Sequence, residues 1–225
     1  MNSAAAAYLF LLGLASGFAL LAASAYRRVS PAWLKWLLLS TTLLVLGRYL
    51  TLALFTQPDA PRHAWAWRHL WFGTSLGLTL PSVMAIDQLL RHPAMSPKTL
   101  LRWCSPFFAT YAAVMLFGDM HPAPDRIVGW TLQLSAGWRL AVSIAQSLFV
   151  LTFLGGCAVV ARKVPVPRIR IALAFLALGH VTLAVDGVIL AAGGWYVRPF
   201  LYSEMLTLAA LWHAYETSAA LQQSA

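Results

Sequence analysis

Hydrophobic positions fill seven long runs, over about 4–26, 33–55, 65–90, 100–118, 138–161, 169–192 and 197–217, and polar positions crowd into the breaks between them. A membrane-crossing helix takes about 20 mostly apolar residues to cover about 30 Å of hydrocarbon. Lipid offers the backbone no hydrogen-bond partner, so each run is expected to be a helix. The pattern predicts an all-α fold, one bundle of seven transmembrane helices over 1–225 with no soluble domain. Pro81 in the third run and Pro106 in the fourth are expected to kink their helices. Most breaks are short. The exception is 119–137, which carries His121-Pro122-Ala123-Pro124-Asp125 and then IVGWTLQL over 127–134. That second stretch reads as a short hairpin or a surface-lying piece, serving either as a functional cap or as a tether.

Composition agrees with the pattern: 60% of residues are hydrophobic and 10% charged, with a mean hydropathy of +0.70. Charge adds direction. Ten basic residues, Arg27, Arg28, Lys35, Arg91, Lys98, Arg102, Arg162, Lys163, Arg168 and Arg170, lie on one side of the runs. The other side holds five, Arg62, Arg68, Arg126, Arg139 and Arg198, beside Asp59, Asp119 and Asp125. The positive-inside rule then places the N-terminus outside and the C-terminus in the cytoplasm of a plasma (inner) membrane, multi-pass. The net charge of +9 is accounted for by residues that flank spans and meet anionic headgroups, so no nucleic-acid partner is implied. Tryptophans mark the same boundaries: Trp33, Trp36, Trp103 and Trp212 on the basic side, Trp65, Trp67, Trp130, Trp138 and Trp195 on the other. Ala23-Ser24-Ala25 has the look of a signal-peptidase site, but no basic segment precedes the first run, which is expected to be a retained span. Cys104 and Cys157 read as small packing residues, and two thiols make no metal site.

A faint internal echo links the two halves. Arg27-Arg28-Val29 resembles Arg162-Lys163-Val164, and Leu46-Gly47-Arg48 resembles Leu178-Gly179-His180. Duplicated three-helix units occur in transporters, and Leu- and Ala-rich sequence also produces such matches by chance.

Candidate chemistry rests on ionisable groups inside the spans, which are costly there and usually functional. Arg48 lies seven residues before Phe55, Asp186 six before Ala192 and Glu204 seven after Val197. All three therefore fall roughly 10 Å below the outer boundary. An arginine at that depth is best matched by a carboxylate, and two carboxylates leave one for a cation, a proton or a ligand. Asp186, beside Gly187, is the expected partner of Arg48. Glu204, flanked by Tyr202 and Ser203, is the expected surplus group. His69, Tyr111, Gln146 and Tyr202 fall near the same level, as do Tyr8, Thr74, Thr110 and Ser143. The set Arg48, His69, Tyr111, Gln146, Asp186, Tyr202 and Glu204 is expected to line an outward-facing polar cavity that binds a small ligand. The competing reading is a buried structural pair with hydroxyls bonding across helices.

No catalytic or metal-binding residue is expected. The chain contains no H-E-x-x-H or P-loop sequence. His180 lies 11 residues from the inner end of the sixth run and His213 four from that of the seventh, so they differ in depth by roughly 10 Å and do not suit one haem. The expected cofactor is none.

The seven-run layout resembles a microbial rhodopsin, but Lys35, Lys98 and Lys163 all lie at cytoplasmic ends, so the seventh run offers no retinal Schiff base. Trp67-Arg68-His69-Leu70-Trp71-Phe72 leading into Leu80-Pro81, the long outer segment before the fifth run and the basic turn before the sixth are similar to the seven-transmembrane sensor module of bacterial histidine kinases. That resemblance implies sensing of a ligand or of membrane state from the outer face. The sequence stops at Ala225 without a kinase or other output domain, so signalling would pass to a membrane or cytoplasmic partner. The readings are thus a sensor or receptor-like module first, then a small-solute or proton-coupled transporter, then a structural subunit of a larger membrane complex. Partners are the bilayer and a signalling protein, with self-association left open.

Overall fold

A computed structural model describes residues 3–92, 96–125, 129–191 and 200–223. Arg126, Ile127, Trp195, Val197 and Arg198, which entered the sequence reading, lie outside them. The described residues form eight α-helices: α1 (Ser3–Tyr26), α2 (Ala32–Leu54), α3 (Ala60–Trp67), α4 (Gly73–Leu90), α5 (Pro97–Phe117), α6 (Ala136–Lys163), α7 (Pro167–Ala191) and α8 (Leu201–Gln223). Five of them, α1, α2, α5, α6 and α7, are long and apolar enough to cross a membrane.

α4 and α8 are also long, 18 and 23 residues, but are not among the five apolar enough to span. Their position explains the difference. α4 packs against α2, α5, α7 and α8, and 15 of its 18 residues are buried. A helix walled by protein needs no lipid-facing stripe and can carry Thr74, Thr79, Ser82, Asp87 and Gln88 inward. α8 packs against α1, α4 and α7 and likewise buries Ser203, Glu204, Thr207 and Ser218.

The run expected as one helix over 65–90 is divided. Pro61 opens the short α3, a 3-10 turn follows over Arg68–Leu70, and α4 starts only at Gly73. The division leaves the Trp71 carbonyl to accept a hydrogen bond from Arg48. Gly73 and Gly77, four residues apart, let α4 press on α2. A Cβ on Gly77 would stand 3.0 Å from the Thr41 carbonyl oxygen, and one on Gly73 would strike that of Leu44. Gly179 does the same for α7 on α8, where a Cβ would meet the Thr207 hydroxyl at 2.7 Å. Small residues at such crossings permit close backbone approach in membranes.

The long break folds into a hairpin, β1 (Met120–Pro124) antiparallel to β2 (Trp130–Leu134), in register from Met120 opposite Leu134 to Pro124 opposite Trp130. The second strand falls in the stretch read as hairpin or surface piece. The first strand, rich in proline, was not anticipated. Proline is tolerated because the sheet has two strands and both are edges. The Trp130 N–H donates to the Phe55 carbonyl at 2.8 Å, docking the hairpin on the end of α2. Gly129 makes this possible with φ of 66° and no Cβ to collide with that carbonyl.

The opposite, basic end is tied across helices. Arg28 pairs with Glu216 at 2.5 Å, and the Ser218 hydroxyl donates to the Gln88 carbonyl at 2.7 Å. Gln88 Nε2 donates to the Ser30 carbonyl at 3.2 Å, and Tyr26 and Tyr215 meet edge to face.

Candidate functional site

Arg48 projects from α2 toward the broken turn before α4. Its Nη1 donates to the Trp71 carbonyl, and its guanidinium carbon lies 4.7 Å from the Trp71 ring centroid. One residue thus receives the cation through both backbone and ring face. Across from it, Glu204 sits in the first turn of α8, 4% exposed, where the helix N-terminus favours a negative charge. The Glu204 carboxyl is an electrostatic neighbour of Arg48 and lies within reach of the Thr74 and Tyr49 hydroxyls. The Tyr49 hydroxyl is buried and approaches this carboxyl without completing a well-aligned hydrogen bond.

Asp186 on α7 is the second carboxylate at this level and the electrostatic neighbour of Glu204. Its Oδ2 accepts from the Ser203 hydroxyl and, at 3.1 Å, from the Phe200 N–H. It therefore caps the start of α8, whose first N–H groups have no partner within the helix. This changes the expected division between the two acids. Asp186 fastens α8 to α7, and Glu204 is the carboxylate that meets the field of Arg48.

The seven sequence-derived residues separate into four places. Arg48, Asp186 and Glu204 gather at one level. Tyr111 and Gln146 pair with each other, the tyrosine hydroxyl donating to the amide oxygen and joining α5 to α6. His69 places Nδ1 2.5 Å from the Met115 carbonyl, tying the 3-10 turn to α5. Tyr202 points away from the cluster and is 54% exposed on the outside of α8. Thr110, half-buried, and Ser143, exposed, donate to carbonyls of their own helices. The two best-formed hollows among the described residues include none of the seven. The larger, about 190 Å³, lies at the hairpin end between α2 and α3, against Phe55, Asp59, His63 and Trp67. Neither hollow lies at the Arg48 level, where the sequence reading expected a cavity.

Two site residues were missed. Trp71 and Tyr49 complete the cluster together with Thr74 and Ser203, which the sequence reading had placed near Arg48 and Glu204. Tyr49 is the chain neighbour of Arg48, which was the available signal. Nothing in the sequence could show that the helix breaks at Trp71. Two further buried groups lie closer to the basic end. His180 is fully buried, with Nε2 2.8 Å from the Ser82 hydroxyl and its ring between Phe149 and Phe153. Asp87 is buried on α4 and accepts from Gln88 Nε2 at 2.8 Å. His213 lies against Phe175. Among the described residues no three histidines, cysteines or acids gather as metal ligands would.

No protein-family model matches the chain, and no curated protein or solved structure does either.

Proposed function

We propose that the chain is a sensor-like integral membrane module of seven spans, α1, α2 and α4 to α8, with the N-terminus and hairpin outside and the basic end in the cytoplasm of the inner membrane. A small ligand acts at the outer end, and the Arg48–Glu204 cluster passes the change to α8 and on to a signalling partner. The observation that carries this reading is the position of Trp71. Its ring lies 5.2 Å from that of Phe55, which walls the outer cleft, and it holds Arg48 on its other contacts. A shift at the cleft therefore alters Arg48, Arg48 alters the field at Glu204, and Glu204 stands on α8. At the far end α8 is bonded through Glu216 to Arg28, just beyond α1, and through Ser218 to α4. Such a contact chain supports coupling when its ends have two arrangements.

The test is thermal melting of the reconstituted protein against a panel of amino acids, small organic acids and amines, together with uptake of any stabilising compound into proteoliposomes. Sensing predicts a ligand-dependent rise in melting temperature without uptake, and loss of that rise in Glu204→Gln, which keeps shape and removes charge. An unchanged ligand response in Glu204→Gln overturns the reading. Transport is the second reading, favoured by the pair of neighbouring carboxylates beside one arginine, and uptake would decide for it.

A further inference from the structure

His180, Ser82, Tyr215 and Asp87 have no part in the sensing reading, yet all are buried along α4. His180 is the most unusual. The Ser82 hydroxyl donates to the Leu78 carbonyl at 2.8 Å, so its single proton is in use. At 2.8 Å from His180 Nε2 it can only accept, which puts the imidazole hydrogen on Nε2 and a lone pair on Nδ1. Nδ1 is buried with no hydrogen-bond partner among the described residues. A buried acceptor left unused is costly, and ionisable groups within spans mark ion or proton paths.

The placement along α4 is ordered. Thr74, which reaches Glu204, precedes Ser82 by eight residues, and Asp87 follows Ser82 by five. These steps correspond to about 12 Å and about 7.5 Å along the helix axis. Intermediate groups fall in both gaps. Thr207 lies one turn beyond Glu204 and packs on Gly179, the neighbour of His180. The Tyr215 hydroxyl donates at 2.8 Å to the carbonyl of Pro81, the neighbour of Ser82, and Asp87 is an electrostatic neighbour of Tyr215.

We propose that α4 carries a proton relay, from Glu204 near the hairpin end through His180 and Ser82 at mid-depth to Tyr215 and Asp87 near the basic end. A proton arriving from the Glu204 side binds Nδ1 of His180. The imidazolium releases its Nε2 proton to the Ser82 oxygen, and Ser82 passes its own proton toward Tyr215 and Asp87. Water-mediated transfer of the ring proton from Nδ1 to Nε2 restores the starting tautomer. One proton enters and one leaves, no other bond changes, and water bridges the gaps that exceed one hydrogen bond. The buried titratable groups on the helices packed around His180 are Glu204 and Tyr215 of α8, Asp87 of α4, Cys157 of α6 and Asp186 of α7 itself, and Ser82 is the group in hydrogen-bond contact.

The relay goes beyond the sensing reading and is tested without a ligand. The full chain is reconstituted in liposomes holding a pH-sensitive dye, and a potassium gradient with valinomycin drives protons inward. Acidification at least tenfold faster than in protein-free liposomes is expected. His180→Asn, which can still bond Ser82 but cannot carry a proton, is expected to lose at least tenfold of that rate, as is Asp87→Asn. Ser82→Ala provides a second break that leaves the imidazole in place, and melting curves verify that each variant is folded. A parent rate equal to that of empty liposomes, or a folded His180→Asn or Ser82→Ala protein conducting like the parent, overturns the relay. Either result leaves the Glu204-dependent ligand response standing, so the two proposals fail separately.

Discussion

Arg48 shows how a charge is accommodated inside a helical bundle. It meets a backbone carbonyl, an aromatic face and the field of Glu204. Removing it leaves the buried carboxylate and the Trp71 carbonyl without their cation. Arg48→Met is therefore expected to cost about 3–5 kcal/mol in denaturant unfolding, and Arg48→Met with Glu204→Leu to recover much of that. A single variant that unfolds like the parent would remove the coupling. Asp186 behaves differently, because its partners are the Ser203 hydroxyl and the Phe200 amide. Asp186→Asn keeps an acceptor for both and is expected to lose about 1 kcal/mol, while Asp186→Leu uncaps α8 and is expected to lose about 1–3 kcal/mol. Equal unfolding of the two variants would show that the cap does not matter. That Arg48, Asp186 and Glu204 meet at one level of the bundle was legible from residue counting, because helical rise is fixed. Which acid serves which partner was not, because that depends on side-chain direction across three helices.

At the level of elements, the crossings of α4 on α2 and α7 on α8 depend on particular glycines, and the chain contains its own controls. Nothing lies within 4 Å of a Cβ built at Gly155 or Gly156 on α6, whereas Gly77 and Gly179 face a neighbouring helix directly. Gly77→Ala and Gly179→Ala are expected to destabilise by about 1–3 kcal/mol through overpacking. Gly155→Ala and Gly156→Ala are expected to be neutral or to gain up to about 1 kcal/mol from helix propensity. Similar melting temperatures for all four would mean the helices do not approach as closely as described. The broken third run has a comparable origin. Hydropathy is continuous from Trp65 onward, so the sequence reads as one span. Pro61 and Gly73 permit the interruption, and the contacts of Trp71 with Arg48 and Phe55 hold it.

For the whole molecule the proposed orientation is directly measurable. In a background of Cys104→Ser and Cys157→Ala, Ala123→Cys on the hairpin is expected to react with an impermeant thiol reagent on intact cells. Gln222→Cys at the end of α8 is expected to react only after permeabilisation. The reverse pattern would invert the bundle and place the cleft of Phe55 and Trp67 in the cytoplasm.

What the sequence by itself determined is the helical class, the length and apolar character of the spans, the asymmetry of basic residues and the shared depth of three ionisable groups. Each follows from a one-dimensional quantity: hydropathy per turn, charge per break or rise per residue. Tertiary structure decided the rest. It made α4 the buried centre, so Asp87 and the Ser82–His180 contact became interior features although no count along the chain distinguished them. It turned Tyr202 outward while Glu204, two residues on, faces Arg48, since two residues on a helix differ by about 200° in direction. It also placed a hollow of about 190 Å³ at the end of α2, against Phe55 and Trp67. Depth is written in the chain, but the facing direction of each side chain is fixed only when neighbouring helices choose their crossings.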